Sequence, residues 1–207
     1  MKKAFSLLFI LVIIGCNSKD KRPLIGKTDY QKKLNSQFKD ASKSPLKKKD
    51  LKNFKGLEFY PVDSSYVVTA KLTRTTNAKF FEMPTTDDRR PLYREFGTLT
   101  FEMKGQRFNL TLYQSQEEMQ DIRFKDYLFL PFVDDTSGDG SYGGGRYMNL
   151  FLSKIQDDET LILDFNNTYN PYCVYNEKYS CPLVPRKNYM NIAVKAGIKD
   201  FKKEVLE

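Results

Sequence analysis

The sequence contains no histidine. That removes Ser-His-Asp and Cys-His nucleophilic arrangements, His-ligated zinc or haem, and the usual general base near neutral pH. G-x-x-x-x-G-K-S/T does not occur, and the G-x-G-x-x-G at Gly138 to Gly143 leads into a predicted strand and not a helix, so the two familiar glycine-rich routes to nucleotide binding have no support. Chemistry here has to rest on carboxylates, Tyr, Lys, Arg or Cys. Cysteine is itself scarce, with 3 in 207 residues. The apolar run from Ala4 to Ile14 falls short of the ~20 residues that a bilayer span requires.

That run has the proportions of a signal-peptide core. Lys2 and Lys3 precede it, and Gly15-Cys16 end it without an A-x-A-type cleavage site. The ending resembles the lipobox of bacterial lipoproteins. The resemblance implies that residues 1–15 are removed and that Cys16 is lipidated as the first residue of the mature chain. Gly15 leaves a peptidase room to approach the backbone, and each acyl methylene contributes about 0.8 kcal/mol of membrane binding. Asn17 and Ser18 follow, with no Asp at the position that retains many lipoproteins in the inner membrane. The expected location is therefore the cell envelope: the outer membrane where the host has one, otherwise the outer face of the plasma membrane.

The formal net charge of +8 is unevenly distributed. Between Asn17 and Lys55 there are 13 basic residues against 4 acidic ones, whereas Gly56 to Glu207 holds 19 against 22. The excess positive charge sits beside the lipid anchor, where each Lys or Arg near an anionic surface contributes about 1 kcal/mol. A solvated linker of no particular partner is the alternative. Nucleic-acid binding is not expected, because the aromatics are not interleaved with the basic cluster.

Three segments follow: 1–15 as signal peptide; 16–55 as lipidated cysteine, basic tether and short helix; 56–207 as a β-rich domain. Thr28 or Asp29 can cap a helix whose Tyr30, Leu34 and Phe38 share a face, and Asp50 to Phe54 can add a further turn. Strands are predicted at 66–73, 79–83, 96–103, 107–113, 127–133, 146–152 and 161–165, with 191–195 as another. Leu99, Phe101 and Met103 alternate opposite Phe108, Leu110 and Leu112, which predicts a hairpin about Lys104-Gly105-Gln106. Strands outnumber helices without βαβ alternation. The expected fold is mainly β (α+β), a single antiparallel curved sheet or partly closed β-barrel with short N-terminal helices.

The stretch from Leu128 to Asn188 is dense in chemistry. Gly143-Gly144-Gly145-Arg146 can turn successive N–H groups one way beside a guanidinium, a nest suited to a carboxylate or phosphate. The structural alternative is a loop whose glycines are sterically required, with Arg146 paired to an acid such as Asp164. Asp134 to Gly140 resembles the start of a calcium loop. The position needing a bidentate Glu is Arg146, so no metal is expected. Asp164, Asn166 and Asn170 lie at and after a strand exit, crowded by Tyr147, Tyr169, Tyr172 and Tyr175. They read either as backbone-tying polar groups or as a polar pocket. Cys173 and Cys181 remain once Cys16 is acylated. In an oxidising envelope they pair most simply as a disulfide, closing a loop that contributes roughly 2.5 kcal/mol. Thiol exchange and a metal site are the alternatives.

Taken together, FKGLEFYPVD (54–63), FLPFVDDTSGDGSYGGGRY (129–147), LDFNNTYNPYCVY (163–175) and CPLVPRKN (181–188) resemble the domain-of-unknown-function 1684 family. The family is widespread in bacteria, is often carried on lipoproteins, and brings no established activity. Val184 stands where a second consecutive proline is expected. Function is thus argued from residues alone. The first reading is an envelope-anchored binding or accessory domain that needs no cofactor. Its polar pocket, built from Gly143, Gly144, Gly145, Arg146, Tyr147, Asp164, Asn166 and Asn170, would take a small anionic or glycan-like ligand or an envelope partner. The alternatives are a His-independent hydrolase or transferase using Asp164 with Tyr and Arg, and a purely structural scaffold.

Overall fold

The computed structural model describes residues 26–201. The signal peptide and Cys16 lie outside the described residues. Thr28 ends the extended entry and caps α1 (Asp29–Lys39), its Oγ1 accepting from the Gln31 N–H at 3.1 Å. Leu34 and Phe38 bury one face of α1 against Leu57, Tyr175 and Ile198. Asn35 on the same face accepts the Leu57 N–H at 2.7 Å, tying the helix to the chain that enters the sheet. The expected tether helix is therefore folded onto the domain. A shorter helix, α2 (Lys48–Asn53), follows.

The sheet strands are β1 (Val67–Arg74), β2 (Phe81–Glu82), β3 (Leu92–Met103), β4 (Gln106–Ser115), β5 (Tyr127–Asp134), β6 (Arg146–Phe151), β7 (Thr160–Asp164) and β8 (Tyr189–Met190). A five-residue helix, α3 (Gln116–Gln120), which the sequence pattern did not reveal, leaves β4. The main order is β6-β5-β4-β3-β1-β7, antiparallel throughout, with β2 added beside β3 and β8 beside β5 in parallel. This is the expected curved sheet, curled into a half-barrel.

Its centre is the β3–β4 hairpin. Lys104 (φ 50°) and Gly105 (φ 77°) make the two-residue turn with both φ positive that matches strand twist. That turn sets the register, pairing Phe101 with Phe108 and Leu99 with Leu110. One face of the hairpin meets Leu130, Phe132, Met148, Leu163 and Phe165 in the main core. A bulge between Glu95 and Gly97 then shifts the register, so that Tyr93 and Tyr113 join Met83, Phe129 and Tyr147 in a separate aromatic cluster. A Cβ on Gly97 would lie 2.6 Å from the Thr73 carbonyl, so the strands can approach there only with glycine.

Two departures from regular pairing shape the rest. β4 and β5 share a single registered pair, Tyr113 with Phe129. The Asn188 side chain fills the gap beyond it, accepting the Thr111 N–H at 2.8 Å and donating to the Thr111 and Pro131 carbonyls at 2.8 and 2.7 Å. One carboxamide thus stands in for a missing ladder rung. The strand expected at 191–195 is instead an irregular strap running on from β8, with Val194, Ala196 and Ile198 buried. It is held by residues 58–60 through Tyr60 N–H to the Gly197 carbonyl and Lys199 N–H to the Glu58 carbonyl, both 2.9 Å.

Replacing Asn188 with Ala orphans the buried Thr111 N–H and removes the donor to the Thr111 and Pro131 carbonyls. Urea unfolding of Asn188→Ala is expected to show a loss of about 2–4 kcal/mol. Asn188→Asp should lose at least as much, because it sets a carboxylate against two carbonyls.

Candidate functional site

Arg146 opens β6 opposite Phe132, its Cα partner two residues before the end of β5. Its side chain points into the main core and is fully buried, as is that of Asp134 at the end of β5. Nη2 donates to Asp134 Oδ2 at 2.9 Å and to the Val194 carbonyl at 2.9 Å. Nη1 donates to the Ala196 carbonyl at 2.6 Å and to Ile198 at 3.3 Å. The guanidinium lies over the Phe132 ring at 5.3 Å. Asp134 also accepts from Thr136 Oγ1 at 2.8 Å and the Val194 N–H at 2.8 Å. Burial draws the Arg146 pKa below its ordinary value, and the Asp134 carboxylate opposes that by favouring the charged form. Both groups are encased, and apart from the buried Arg146 Nε, which has no partner among the described residues, their polar atoms are committed to protein partners.

This corrects the expectation of an anion-gripping Arg146 beside Asp164. The turn from Asp134 to Gly145 carries the chain back antiparallel, which sets Asp134 against Arg146. Asp164 ends β7 at the far edge of the sheet order. Two of the three glycines, Gly144 and Gly145, are explained by sterics. Gly145 (φ +90°) closes a turn to the Tyr142 carbonyl at 3.0 Å, and a Cβ there would meet the Phe132 carbonyl at 2.5 Å. The Tyr142 ring lies where a Gly144 side chain would begin, and Gly143 precedes it in the same turn. The Gly145 N–H is used within that turn and the Arg146 guanidinium is turned inward, so the two do not combine to hold an anion.

Asp164 accepts from the Asn166 N–H at 3.0 Å, Asn166 Nδ2 at 2.9 Å and Asn167 Nδ2 at 2.8 Å, capping the short turn that follows β7. Asn166 holds the Asp63 backbone by two bonds of 3.0 Å. Asn170 donates to the Lys199 carbonyl at 2.9 Å, while its buried Oδ1 has no partner among the described residues. The Tyr147 hydroxyl donates to the Pro182 carbonyl, and its backbone exchanges hydrogen bonds with Tyr169. The pocket residues therefore do not converge. Each ties an irregular segment to the sheet, and among the described residues no guanidinium pairs with Asp164.

Cys173 and Cys181 do come together. They are unlinked, so the expected disulfide is not present in the structure, but the Cys173 N–H donates to Cys181 Sγ at 3.2 Å. The hydrogen bond from Cys181 is the main influence lowering the Cys173 thiol to about 7, against an opposing effect of burial. The Cys181 thiol is raised by the same bond and by its own burial.

An open cleft of about 270 Å³ lies elsewhere, between the entry to β3 and α3. Arg90, Pro91 and Leu92 line one side, and Gln116, Glu117 and Gln120 the other. Ser115 places α3 by accepting the Glu118 N–H, and burial raises the Glu118 carboxyl above its usual range. Arg89 Nη1 lies 3.7 Å from Glu117. Sequence patterns missed this cleft because its residues are ordinary surface types joined only by the short α3. They also missed Asn188, although CPLVPRKN ends on it.

A family model described as "Protein of unknown function (DUF1684)" matches residues 52–199. The chain is similar to an uncharacterised protein of Haloarcula marismortui whose structure was solved by solution NMR. The two share 33% identity over 82% of this chain and 89% of that one, with a TM-score of 0.65. No curated protein matches.

Asp134→Ala leaves the Arg146 cation buried without its counter-charge and is expected to cost about 3–5 kcal/mol in urea unfolding. Asp164→Asn keeps an acceptor for the turn and should cost about 1 kcal/mol. Equal losses would contradict the separation of the two acids.

Proposed function

The chain belongs to the DUF1684 family, and we propose that it is a lipid-anchored envelope protein whose β-domain binds a small, neutral, glycan-like ligand in the cleft beside α3. The supporting observation is a division of labour. The residues that looked chemically equipped in the sequence are consumed in holding the frame. The cleft instead offers the Gln116 and Gln120 carboxamides, the Arg90 guanidinium and the Glu117 carboxylate around Pro91 and Leu92.

Carboxamides and charged groups suit hydroxyls, and the proline and leucine suit the C–H faces of a sugar ring. Arg90 and Glu117 balance in charge, which favours a neutral ligand over an anion. The volume lies just under the usual range for small-molecule sites, about 300–1,000 Å³, and fits one or two rings. Anchoring rests on the Lys2-to-Cys16 pattern and on the basic residues between Asn17 and Lys55. Several of these lysines lie on α1 and α2, and part of their charge is met locally by Lys32–Asp29, Lys43–Asp40 and Lys47–Glu177 ion pairs. Catalysis by Asp164 gains no support, since its oxygens cap the turn after β7.

In cells fed labelled palmitate, the wild-type chain should carry label in the membrane fraction, and Cys16→Ser should lose both label and membrane association. The purified full-length lipoprotein in detergent should rise in Tm by about 5–10 °C with a cognate disaccharide at roughly 100-fold its Kd. Gln116→Ala with Gln120→Ala should abolish that shift without lowering the ligand-free Tm. Indifference to a panel of envelope disaccharides would favour the scaffold reading.

A further inference from the structure

Cys173 and Cys181 differ in setting, and the difference has a direction. Cys173 sits in the turn Tyr172–Val174 that follows Pro171 and is half-exposed; Cys181 is only 6% exposed. The segment 84–90 holds Cys181 in place. The Cys181 N–H donates to Thr86 Oγ1 at 3.1 Å, and the Thr86 N–H donates to the Cys181 carbonyl at 2.9 Å. Next to it, Ser180 Oγ donates to Asp87 Oδ1 at 2.5 Å and accepts from Arg89 Nε at 3.2 Å. The loop between the cysteines is closed by its own bonds, Asn176 N–H to the Tyr172 carbonyl and Tyr179 N–H to the Asn176 carbonyl. The two cysteines are therefore held side by side, the Cys173 N–H on Cys181 Sγ at 3.2 Å.

The groups facing the pair are Tyr142 before β6, Tyr147 on β6, Tyr172 on the cysteine turn, and Thr86, Asp87 and Arg89 on the packed segment. The tyrosines are raised above their ordinary values, chiefly by burial, and stay protonated where a thiol ionises. The Thr86 hydroxyl and the backbone N–H groups of the cysteine turn support a thiolate on Cys173. Cys181 keeps its proton and shares it with that thiolate. An exposed, ionisable thiol beside a buried, protonated one has the arrangement of an attacking and a resolving cysteine.

We propose that Cys173 and Cys181 form a thiol–disulfide exchange site that cycles between this dithiol and an intramolecular disulfide. The oxidant class is another disulfide, on a protein or a small thiol compound. The Cys173 thiolate attacks one sulfur of that disulfide, its S–S bond breaks, and the far sulfur leaves as a thiolate. Cys181 then gives up its proton and attacks Cys173 Sγ. The mixed disulfide breaks and the second partner sulfur leaves. This chain loses two electrons and two protons, and the partner disulfide gains both as two thiols. Reversal uses the same bonds. Neither cysteine lines the cleft beside α3, so failure of the ligand proposal and failure of this one are separable.

The test equilibrates the full-length protein in detergent with mixtures of oxidised and reduced glutathione, trapping free thiols with a maleimide for mass analysis. Both thiols should disappear together in a transition that is the same when approached from either side. Cys181→Ser should accumulate one glutathione on residue 173, and Cys173→Ser should remain unmodified. Iodoacetamide should label Cys173 with a rate that rises through a midpoint near 7. In Cys181→Ala, which has no donor at that position, the midpoint should move up towards the ordinary thiol value of about 8.5, because the supporting hydrogen bond is gone. Thiols that stay free in excess oxidised glutathione, a disulfide that resists excess reduced glutathione, or an adduct found on Cys181 would each overturn the proposal.

Discussion

The fold depends on one buried cation. A half-barrel needs something across its open side, and here that cover is a strap without regular secondary structure. Irregular chain in a core leaves carbonyls with no strand to meet, and each such group is costly. Arg146 resolves this with its fork of donors, bonding to the carbonyls of Val194, Ala196 and Ile198, while Asp134 neutralises the charge and takes the Val194 N–H. A hydrophobic side chain of equal volume could fill the space but could not satisfy those carbonyls. Buried ion pairs are often replaceable; this one serves as a surrogate strand, and its carbonyl partners make replacement harder.

The same device recurs at smaller scale. Asn188 bridges β4 and β5 where their ladder parts, Asn166 clasps Asp63, Asn35 clasps Leu57, and Asn170 holds Lys199. Short carboxamides carry both a donor and an acceptor, so each can imitate a peptide group at a junction where the backbone cannot reach its own kind. The polar richness of the motif-bearing half follows from the irregularity of its path.

This also decides what could be read from the sequence. The β3–β4 hairpin and α1 were legible because alternation and a cap act over a few residues, and their expected faces match the packed ones. The seven strands predicted before residue 166 all correspond to observed ones, although β2 shrinks to two residues. The segment 191–195 was misread as a strand because its Val194 is buried, and its Ile192 and Ala193 partly so, for a different reason: they line the underside of the strap. The partner of Arg146 was not legible either, since Asp134 and Asp164 are both acids near strand ends and only the sheet order separates them. The cleft gave no signal, because surface glutamines have no periodicity to betray them.

The strap has a consequence for biosynthesis. Its carbonyls lie 48 to 52 residues beyond the guanidinium they satisfy. A nascent chain that has emerged only as far as β7 holds Arg146 and Asp134 with neither the strap nor a closed core around them. Contacts of such long separation form late. The domain cannot lock shut ahead of its own last strap residues. Arg146 is a latch that closes only once Ile198 has arrived.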